Sequence, residues 1–213
     1  MKIAFDVNGV LRNTFGKAEE VYQKFYIDDY VSPEEEETPF EYGLNLPITS
    51  YTLSDHFLFP DEETLMEFFY VDFPMNIFGH AQSTENSTFH DLNDIYKDLR
   101  DDNELIIISN EIEKSKPATL FFLSKFGCLF EKIIFYNDFN KDELFADLDI
   151  VVTSQPSVLD SDYDFKKVKY KTTYNEDCKS DYDIEILKDF NGLYEKLGLK
   201  NDWGIRKNVL FGP

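Results

Sequence analysis

Residues 2–10 read KIAFDVNGV and carry the clearest fold signal in the chain. Its apolar run at residues 3–5 ends abruptly at Asp6, and Gly9 lets the chain turn sharply three residues later. A continuous apolar run of this kind predicts a strand buried on both faces, as in parallel sheets. A carboxylate directly after such a strand is suited to act as a nucleophile or as a metal ligand.

Further apolar runs predict four more strands, and helical periodicity fills the gaps between them. The strand runs end in polar turns and cover residues 105–108, 133–136, 150–152 and, more weakly, 168–171. Apolar residues at helical spacing precede the second and third runs, at residues 92–99 and 118–125. This alternation predicts an α/β fold with a doubly wound, mostly parallel, Rossmannoid sheet. A long C-terminal helix is predicted from Ile184, Leu187, Tyr194 and Leu197, ending at Gly198.

Residues 14–88 do not follow the alternation. They are rich in Phe and Tyr, are interrupted by prolines, and contain two predicted helices, at 16–25 and 61–70. We therefore predict a core made of residues 1–13 and 89–213, and a mainly helical cap subdomain, residues 14–88, inserted after the first strand. Such a cap would lie above the carboxyl ends of the strands, where open α/β sheets bind their ligands.

Charge and composition limit the partners. The 213 residues carry 21 Lys and Arg against 42 Asp and Glu, a formal net charge of −21. A surface this acidic repels phosphate backbones and anionic lipids, so neither nucleic acid nor a membrane is expected as a partner. No apolar run approaches the roughly 20 residues that a membrane-spanning helix needs. Two cysteines do not make a disulfide framework, and a cytoplasmic setting is expected.

The strand-end residues, taken in order, resemble the haloacid dehalogenase-like (HAD) superfamily. The family's first motif, hhhhDxDG[TV], appears as residues 3–10, IAFDVNGV, and its second, hhhh[ST], as residues 105–109, LIIIS. Lys141 matches the third motif. Residues 149–156, DIVVTSQP, occupy the place of the fourth. The helical cap and the segment FGHA at residues 78–81 are most similar to the 5′-nucleotidase and deoxyribonucleotidase branch.

The resemblance implies Mg²⁺-dependent hydrolysis of a small phosphorylated molecule such as a nucleotide. It implies that Asp6 is the nucleophile, which forms an aspartyl-phosphate, and also a metal ligand. Asn8 stands at the position of the general acid/base, and its backbone carbonyl is a second metal ligand. Ser109, Asn110 and Lys141 are then the residues that bind the phosphate.

Two departures from the family pattern bear on activity. The carboxamide of Asn8 cannot exchange a proton near neutral pH, and loss of such a group costs about 10²–10⁴ in rate. Thr153 and Ser154 stand where the family has a metal-binding acid, and a neutral hydroxyl is a poor Mg²⁺ ligand. Spacing does not single out a replacement ligand among Glu111, Asp138 and Asp160.

Two functions from different classes therefore stay open. The retained Asp6, Ser109 and Lys141 favour a nucleotidase-type phosphomonoesterase with impaired activity. Asn8 and the missing fourth-motif acids favour a catalytically inert HAD-fold protein that binds a ligand or partner in the same crevice. A third hypothesis, an acidic decoy that mimics nucleic acid, is weakened because the acids are spread over the whole chain.

Overall fold

The computed structural model describes residues 1–27 and 44–200. The parts of the predicted core and cap at residues 28–43 and 201–213 lie outside these described ranges. Six parallel strands form one sheet within them, in the order β3-β2-β1-β4-β5-β6. The strands are β1 (Lys2–Asp6), β2 (Glu104–Asn110), β3 (Lys132–Tyr136), β4 (Ile150–Thr153), β5 (Lys166–Tyr170) and β6 (Tyr182–Ile184).

Helices connect these strands. They are α1 (Thr14–Tyr22), α2 (Glu62–Glu67), α3 (Thr88–Leu99), α4 (Ser115–Lys125), α5 (Lys141–Ala146) and α6 (Pro156–Leu159). Irregular turns complete them, π-helical at Gln23–Ile27, Phe68–Asp72 and Met75–Gly79, and 3₁₀ at Leu53–Asp55 and Leu187–Leu193. No helix within the described ranges is long and apolar enough to cross a membrane.

The sheet confirms the predicted fold class. β1 lies between β2 and β4, with Phe5 opposite both Ile107 and Val152. Residues 3–5 are completely buried, as a strand covered on both faces must be. This register brings the carboxyl ends of β1, β2 and β4 to one edge, so that Asp6, Ser109 and Thr153 become neighbours in space.

The predicted long C-terminal helix is wrong. Residues 182–184 instead form β6, which pairs with β5, and the chain continues as the short 3₁₀ helix Leu187–Leu193. The Asp189 carboxylate accepts hydrogen bonds from the backbone N–H groups of Glu185 and Ile186, at 3.0 and 3.2 Å, and so begins this helix only after β6 has ended. Ile184 and Leu187 are still buried, so the apolar spacing located the core contacts but gave the wrong element.

A second apolar cluster packs beside the sheet core. It is built from aromatic and aliphatic side chains before α3 together with Ala118 of α4, and includes Tyr22, Phe57, Phe59, Phe68, Phe69 and Ile77. Both helices predicted here form, but each is short and passes into a π-helical turn. α2 begins after Asp61, whose side chain accepts from the Thr64 backbone N–H at 2.8 Å. That residues 14–88 act as an inserted cap stays a prediction.

Candidate active site

Asp6 ends β1 and is completely buried. Its two carboxylate oxygens differ in their surroundings. Oδ2 accepts hydrogen bonds from Thr153 Oγ1 at 2.9 Å and from Gln155 Nε2 at 2.6 Å, whereas Oδ1 has no hydrogen-bond partner among the described residues. The carboxylate is therefore held through Oδ2, and Oδ1 is buried without a hydrogen-bond partner among the described residues.

The environment of Asp6 favours its neutral form. Burial raises the pKa of the carboxyl to about 7. Hydrogen bonding by the Thr153 and Gln155 side chains and by the Asn8 backbone N–H lowers the pKa, and the nearby Glu111 carboxylate raises it further. The raised pKa places the ionisation of Asp6 near neutral pH. A carboxyl whose pKa is raised this far by burial is typical of catalytic and binding sites.

The Asn8 side chain faces Arg12 and Ser109. Its Oδ1 accepts from Arg12 Nη2 at 2.6 Å and from the Thr14 hydroxyl at 2.8 Å, and its Nδ2 donates to Ser109 Oγ at 3.4 Å. The carboxamide therefore occupies the position of the predicted general acid/base as a fixed hydrogen-bonding group. It has no proton to exchange near neutral pH.

Arg12 is completely buried and uses all five of its N–H donors. The acceptors are Thr14 Oγ1 for Nε, Phe78 O and Thr119 Oγ1 for Nη1, and Asn8 Oδ1 and Glu111 Oε1 for Nη2. The guanidinium also lies 5.0 and 5.4 Å from the ring centres of Phe78 and Phe122. It serves as an internal counter-ion and scaffold and has no donor left for a ligand.

Ser109 and Glu111 complete this network at the end of β2. The Ser109 hydroxyl donates to Glu111 Oε1 at 3.1 Å, and the Thr119 hydroxyl donates to the same oxygen at 2.9 Å. Glu111 is buried, and its Oε2 has no hydrogen-bond partner among the described residues. The hydroxyl that we predicted to bind phosphate is therefore directed at a carboxylate in this structure.

The other two predicted phosphate-binding residues lie in different settings. Asn110 lines the cavity described below. Lys141 begins α5, and its ammonium donates to Asp138 Oδ1 at 2.7 Å. The structure thus brings Asp6, Asn8, Ser109 and Asn110 to one edge of the sheet, and pairs Lys141 with Asp138.

A cavity of about 240 Å³ opens beside Asn8 and Gly9. Its polar lining includes Asn8, Thr14 and Asn110, and none of its lining residues in the described ranges is charged. Aromatic rings dominate the remainder: Phe15, Tyr51, Phe69, Tyr70, Phe78 and Tyr174. The charge of Asp6 raises the pKa of both Tyr51 and Tyr174, after burial as the main cause, so the carboxyl lies within electrostatic reach of the cavity wall.

Gly9 is required by both its backbone and its neighbours. Its φ is +75°, and a Cβ there would lie 2.2 Å from Ser154 Oγ and from Tyr174 Oη. We expect Gly9→Ala to lower the free energy of unfolding by about 1–3 kcal/mol from the backbone alone, with the contacts adding to it. Gly192→Ala is the matched control in urea unfolding, because a Cβ at Gly192 meets no atom within 4 Å. Equal stability of the two variants would contradict this prediction.

Sequence reasoning missed three residues of this site. They are Arg12, Tyr136 and Gln155, none of which the motifs single out as a site residue. A signal existed for Arg12, since it is one of only three arginines in the chain and lies six residues after Asp6. No local signal identifies Gln155, whose two amide hydrogens meet Asp6 Oδ2 and Tyr136 Oη, at 2.6 and 2.7 Å, only after folding.

No protein-family model matches the sequence, and no curated protein matches it either. Solved structures do match. One is a HAD-superfamily hydrolase of subfamily IA from Geobacter sulfurreducens, with a TM-score of 0.51 and 15% identity over 90% of this chain and 98% of that chain. That likeness shows that the chain has the fold of a HAD-superfamily hydrolase, as the motifs predict.

Two further structures are similar at a lower score. A haloacid dehalogenase-like hydrolase from Burkholderia xenovorans has a TM-score of 0.48 and 10% identity over 93% of this chain and 98% of that chain. A dehalogenase solved with an intermediate complex has a TM-score of 0.48 and 13% identity over 94% of this chain and 97% of that chain.

Proposed function

We propose that this chain, with the fold of a HAD-superfamily hydrolase, hydrolyses a small phosphorylated molecule through a covalent intermediate on Asp6. One observation carries the proposal: the buried Asp6 carboxylate is held through Oδ2 by two donors while Oδ1 has no partner among the described residues. A nucleophile needs this combination of a fixed orientation and one unshared oxygen.

In the proposed reaction Asp6 Oδ1 attacks phosphorus and the bond from phosphorus to the ester oxygen breaks. The leaving oxygen takes its proton from water, because Asn8 has none to give. Water then attacks the aspartyl-phosphate, which releases inorganic phosphate and regenerates the carboxylate. Since the pKa of Asp6 is raised to about 7, the reactive ionised form increases as pH rises through 7, and the rate should increase with it.

The residues present do not fit Mg²⁺, and the proposed reaction therefore uses no metal ion. Within the described ranges no group of three or more His, Cys, Asp and Glu side chains could hold one. The groups that the HAD resemblance assigns to the metal are the Asp6 carboxylate and the Asn8 carbonyl; of their oxygens, Asp6 Oδ1 has no hydrogen-bond partner among the described residues. Asp6 Oδ2 and the Asn8 carbonyl already accept hydrogen bonds from residues 153–155.

The cavity supports a substrate with a flat, largely apolar part. Rings such as Tyr51, Tyr70 and Phe78 offer faces and edges against which a nucleobase could pack. The uncharged lining favours a small ligand whose single charged group is directed to the sheet edge. A nucleotide meets both requirements, and nucleotidase specificity is therefore part of the proposal.

The proposal also places the chain in the cytoplasm, because Cys128 and Cys178 are both free thiols.

A second candidate is a catalytically inert binding protein that uses the same cavity. The observation that favours it is the fixed carboxamide of Asn8, which is held by Arg12, Thr14 and Ser109 in place of an acid/base. Such a protein would bind the substrate-like ligand without transforming it.

The two candidates are separated by trapping the intermediate. The protein is incubated with a panel of nucleoside monophosphates and p-nitrophenyl phosphate, quenched in acid, and analysed by intact and peptide mass spectrometry. A phosphoryl adduct on the peptide that contains Asp6, together with released phosphate, supports the hydrolase. Ligand binding by calorimetry with neither adduct nor phosphate supports the inert binding protein and contradicts hydrolysis.

Restoring the missing carboxyl should increase the rate. We expect Asn8→Asp to raise phosphate release about 10²–10⁴-fold, since the new carboxyl can protonate the leaving oxygen and then activate water. Arg12 Nη2 and the Thr14 hydroxyl, which now donate to Asn8 Oδ1, would position it. Asn13→Asp makes the same charge change outside the predicted position, at the N-cap of α1, and is the control. No gain in a folded Asn8→Asp variant argues against the acid/base explanation.

A further inference from the structure

The fourth-motif segment, residues 153–155, presents hydrogens where HAD hydrolases present oxygens to a metal ion. Thr153 Oγ1 and Gln155 Nε2 donate to Asp6 Oδ2 at 2.9 and 2.6 Å. Ser154 Oγ donates to the Asn8 carbonyl oxygen at 3.0 Å. Three neutral donors thus cover the Asn8 carbonyl and one oxygen of the Asp6 carboxylate, the two groups that the family resemblance assigns to the cation.

The donor chemistry opposes a cation at this position. An amide N–H₂ group has no lone pair to offer a metal, and Gln155 uses both hydrogens, one on Asp6 and one on Tyr136 Oη at 2.7 Å. Turning the amide over would bring its oxygen against Asp6 Oδ2. The hydrogens that Thr153 and Gln155 donate instead stabilise negative charge on that oxygen, as a bound cation would.

Surrounding hydrogen bonds keep the three donors in place. Tyr174 Oη donates to Ser154 Oγ at 3.0 Å, and Asn175 Nδ2 donates to the Ser154 carbonyl at 2.9 Å. The Gln155 backbone N–H donates to Thr153 Oγ1 at 3.1 Å. All three residues are buried. Opening the segment for a hydrated ion would break this network and leave buried polar groups without partners.

We infer that Thr153, Ser154 and Gln155 replace the divalent cation, so that the Asp6 site binds its ligand and reacts without one. The inference rests on the proposed function for its catalytic half, and on the donor geometry alone for the exclusion of the ion. It also assigns positioning roles to Tyr136, Tyr174 and Asn175, which hold the donors.

The test compares divalent-cation binding by calorimetry and by thermal unfolding in four proteins: the wild type, Gln155→Glu, Gln82→Glu and Asp6→Asn. We expect Mg²⁺ and Mn²⁺ neither to bind the wild type near Asp6 nor to shift its Tm. Gln155→Glu exchanges the donor for a carboxylate beside Asp6, and we expect Mg²⁺ to bind this variant and raise its Tm by several degrees. Gln82→Glu adds the same charge at an exposed position and is the control, for which no shift is expected.

The possible outcomes test the inference and the proposed function separately. Saturable Mg²⁺ binding by the wild type that disappears in Asp6→Asn overturns the inference, whether or not Gln155→Glu folds. A folded Gln155→Glu that binds no better than the control overturns the role of Gln155. Hydrolysis that survives EDTA supports both proposals, whereas hydrolysis that EDTA abolishes and Mg²⁺ restores overturns only the inference. Absence of hydrolysis under every condition overturns the proposed function, and calorimetry still decides the inference.

Discussion

Asp6→Asn should lose hydrolysis and gain stability at alkaline pH. The amide cannot attack phosphorus, so we expect phosphate release to fall by on the order of 10⁴-fold or more, as for other enzymes that lose their nucleophile. The same amide carries no charge, and it mimics the protonated form of a carboxyl that is completely buried in the native protein. A substitution that lowers activity and raises stability is typical of a functional group whose burial destabilises the native protein.

The pH dependence of the stability gain follows from the raised pKa. An acid whose native pKa lies above its unfolded value binds protons more tightly when folded, so the wild type loses stability as pH rises between the two values. For Asp6 these are 3.8 in the unfolded chain and about 7 in the native one. The difference corresponds to about 4 kcal/mol above pH 7. Below pH 4 both forms are neutral and the gain should vanish.

Urea unfolding of both proteins from pH 4 to pH 8 measures this difference. Asp162→Asn removes an exposed carboxylate and is the matched control, for which we expect a change within about 0.5 kcal/mol at every pH. A variant whose stability relative to wild type does not change with pH would show that the native pKa of Asp6 is ordinary.

Arg12→Met should destabilise the protein by about 3–5 kcal/mol, because it leaves the Glu111 carboxylate buried without its counter-ion. Both side chains of this ion pair are completely buried, and Arg12 also donates to Asn8 and Thr119. Glu111 Oε2 has no hydrogen-bond partner among the described residues, and without the guanidinium Oε1 keeps only the neutral Ser109 and Thr119 hydroxyls, which carry no compensating charge.

A double variant distinguishes charge from packing. If the uncompensated carboxylate causes the loss, Arg12→Met/Glu111→Leu should be more stable than Arg12→Met, since no charge is then left buried. Arg100→Met changes an exposed arginine and is the control, with an expected effect within about 0.5 kcal/mol. Chemical unfolding measures the free energy of unfolding of the wild type, Arg12→Met, the double variant and Arg100→Met. A loss below about 1 kcal/mol in Arg12→Met, or no recovery in the double variant, contradicts this account of the pair.

The sheet could be predicted because its strands are local features. Residues 3–5 and 105–108 are continuous apolar runs, and such runs specify a strand buried on both faces wherever it pairs. Residues 182–184 have no such run. They form a strand only because β5 offers them an open edge, and sequence periodicity therefore predicted a helix there.

The position of Asp6 followed from the sequence in the same way. An acid directly after a buried strand must lie at the carboxyl end of the sheet, and the HAD resemblance gave that position a chemical meaning. Lys141 shows the limit of such reasoning. Its place in the chain matched a motif, but its ammonium pairs with Asp138, three residues away, and the direction of a long, flexible side chain is set by its neighbours in space.

Composition, charge and apolar periodicity thus specify an acidic α/β protein with a carboxylate at the end of its first strand, since these properties depend on residue types and their spacing. Tertiary structure decides what that carboxylate meets. Arg12 and Glu111 are 99 residues apart in sequence and Gln155 and Asp6 are 149 apart, yet each pair shares a hydrogen bond. Folding alone brings such distant groups together. The buried ion pair, the raised pKa of Asp6 and the donors in place of a cation all arise from contacts of this kind.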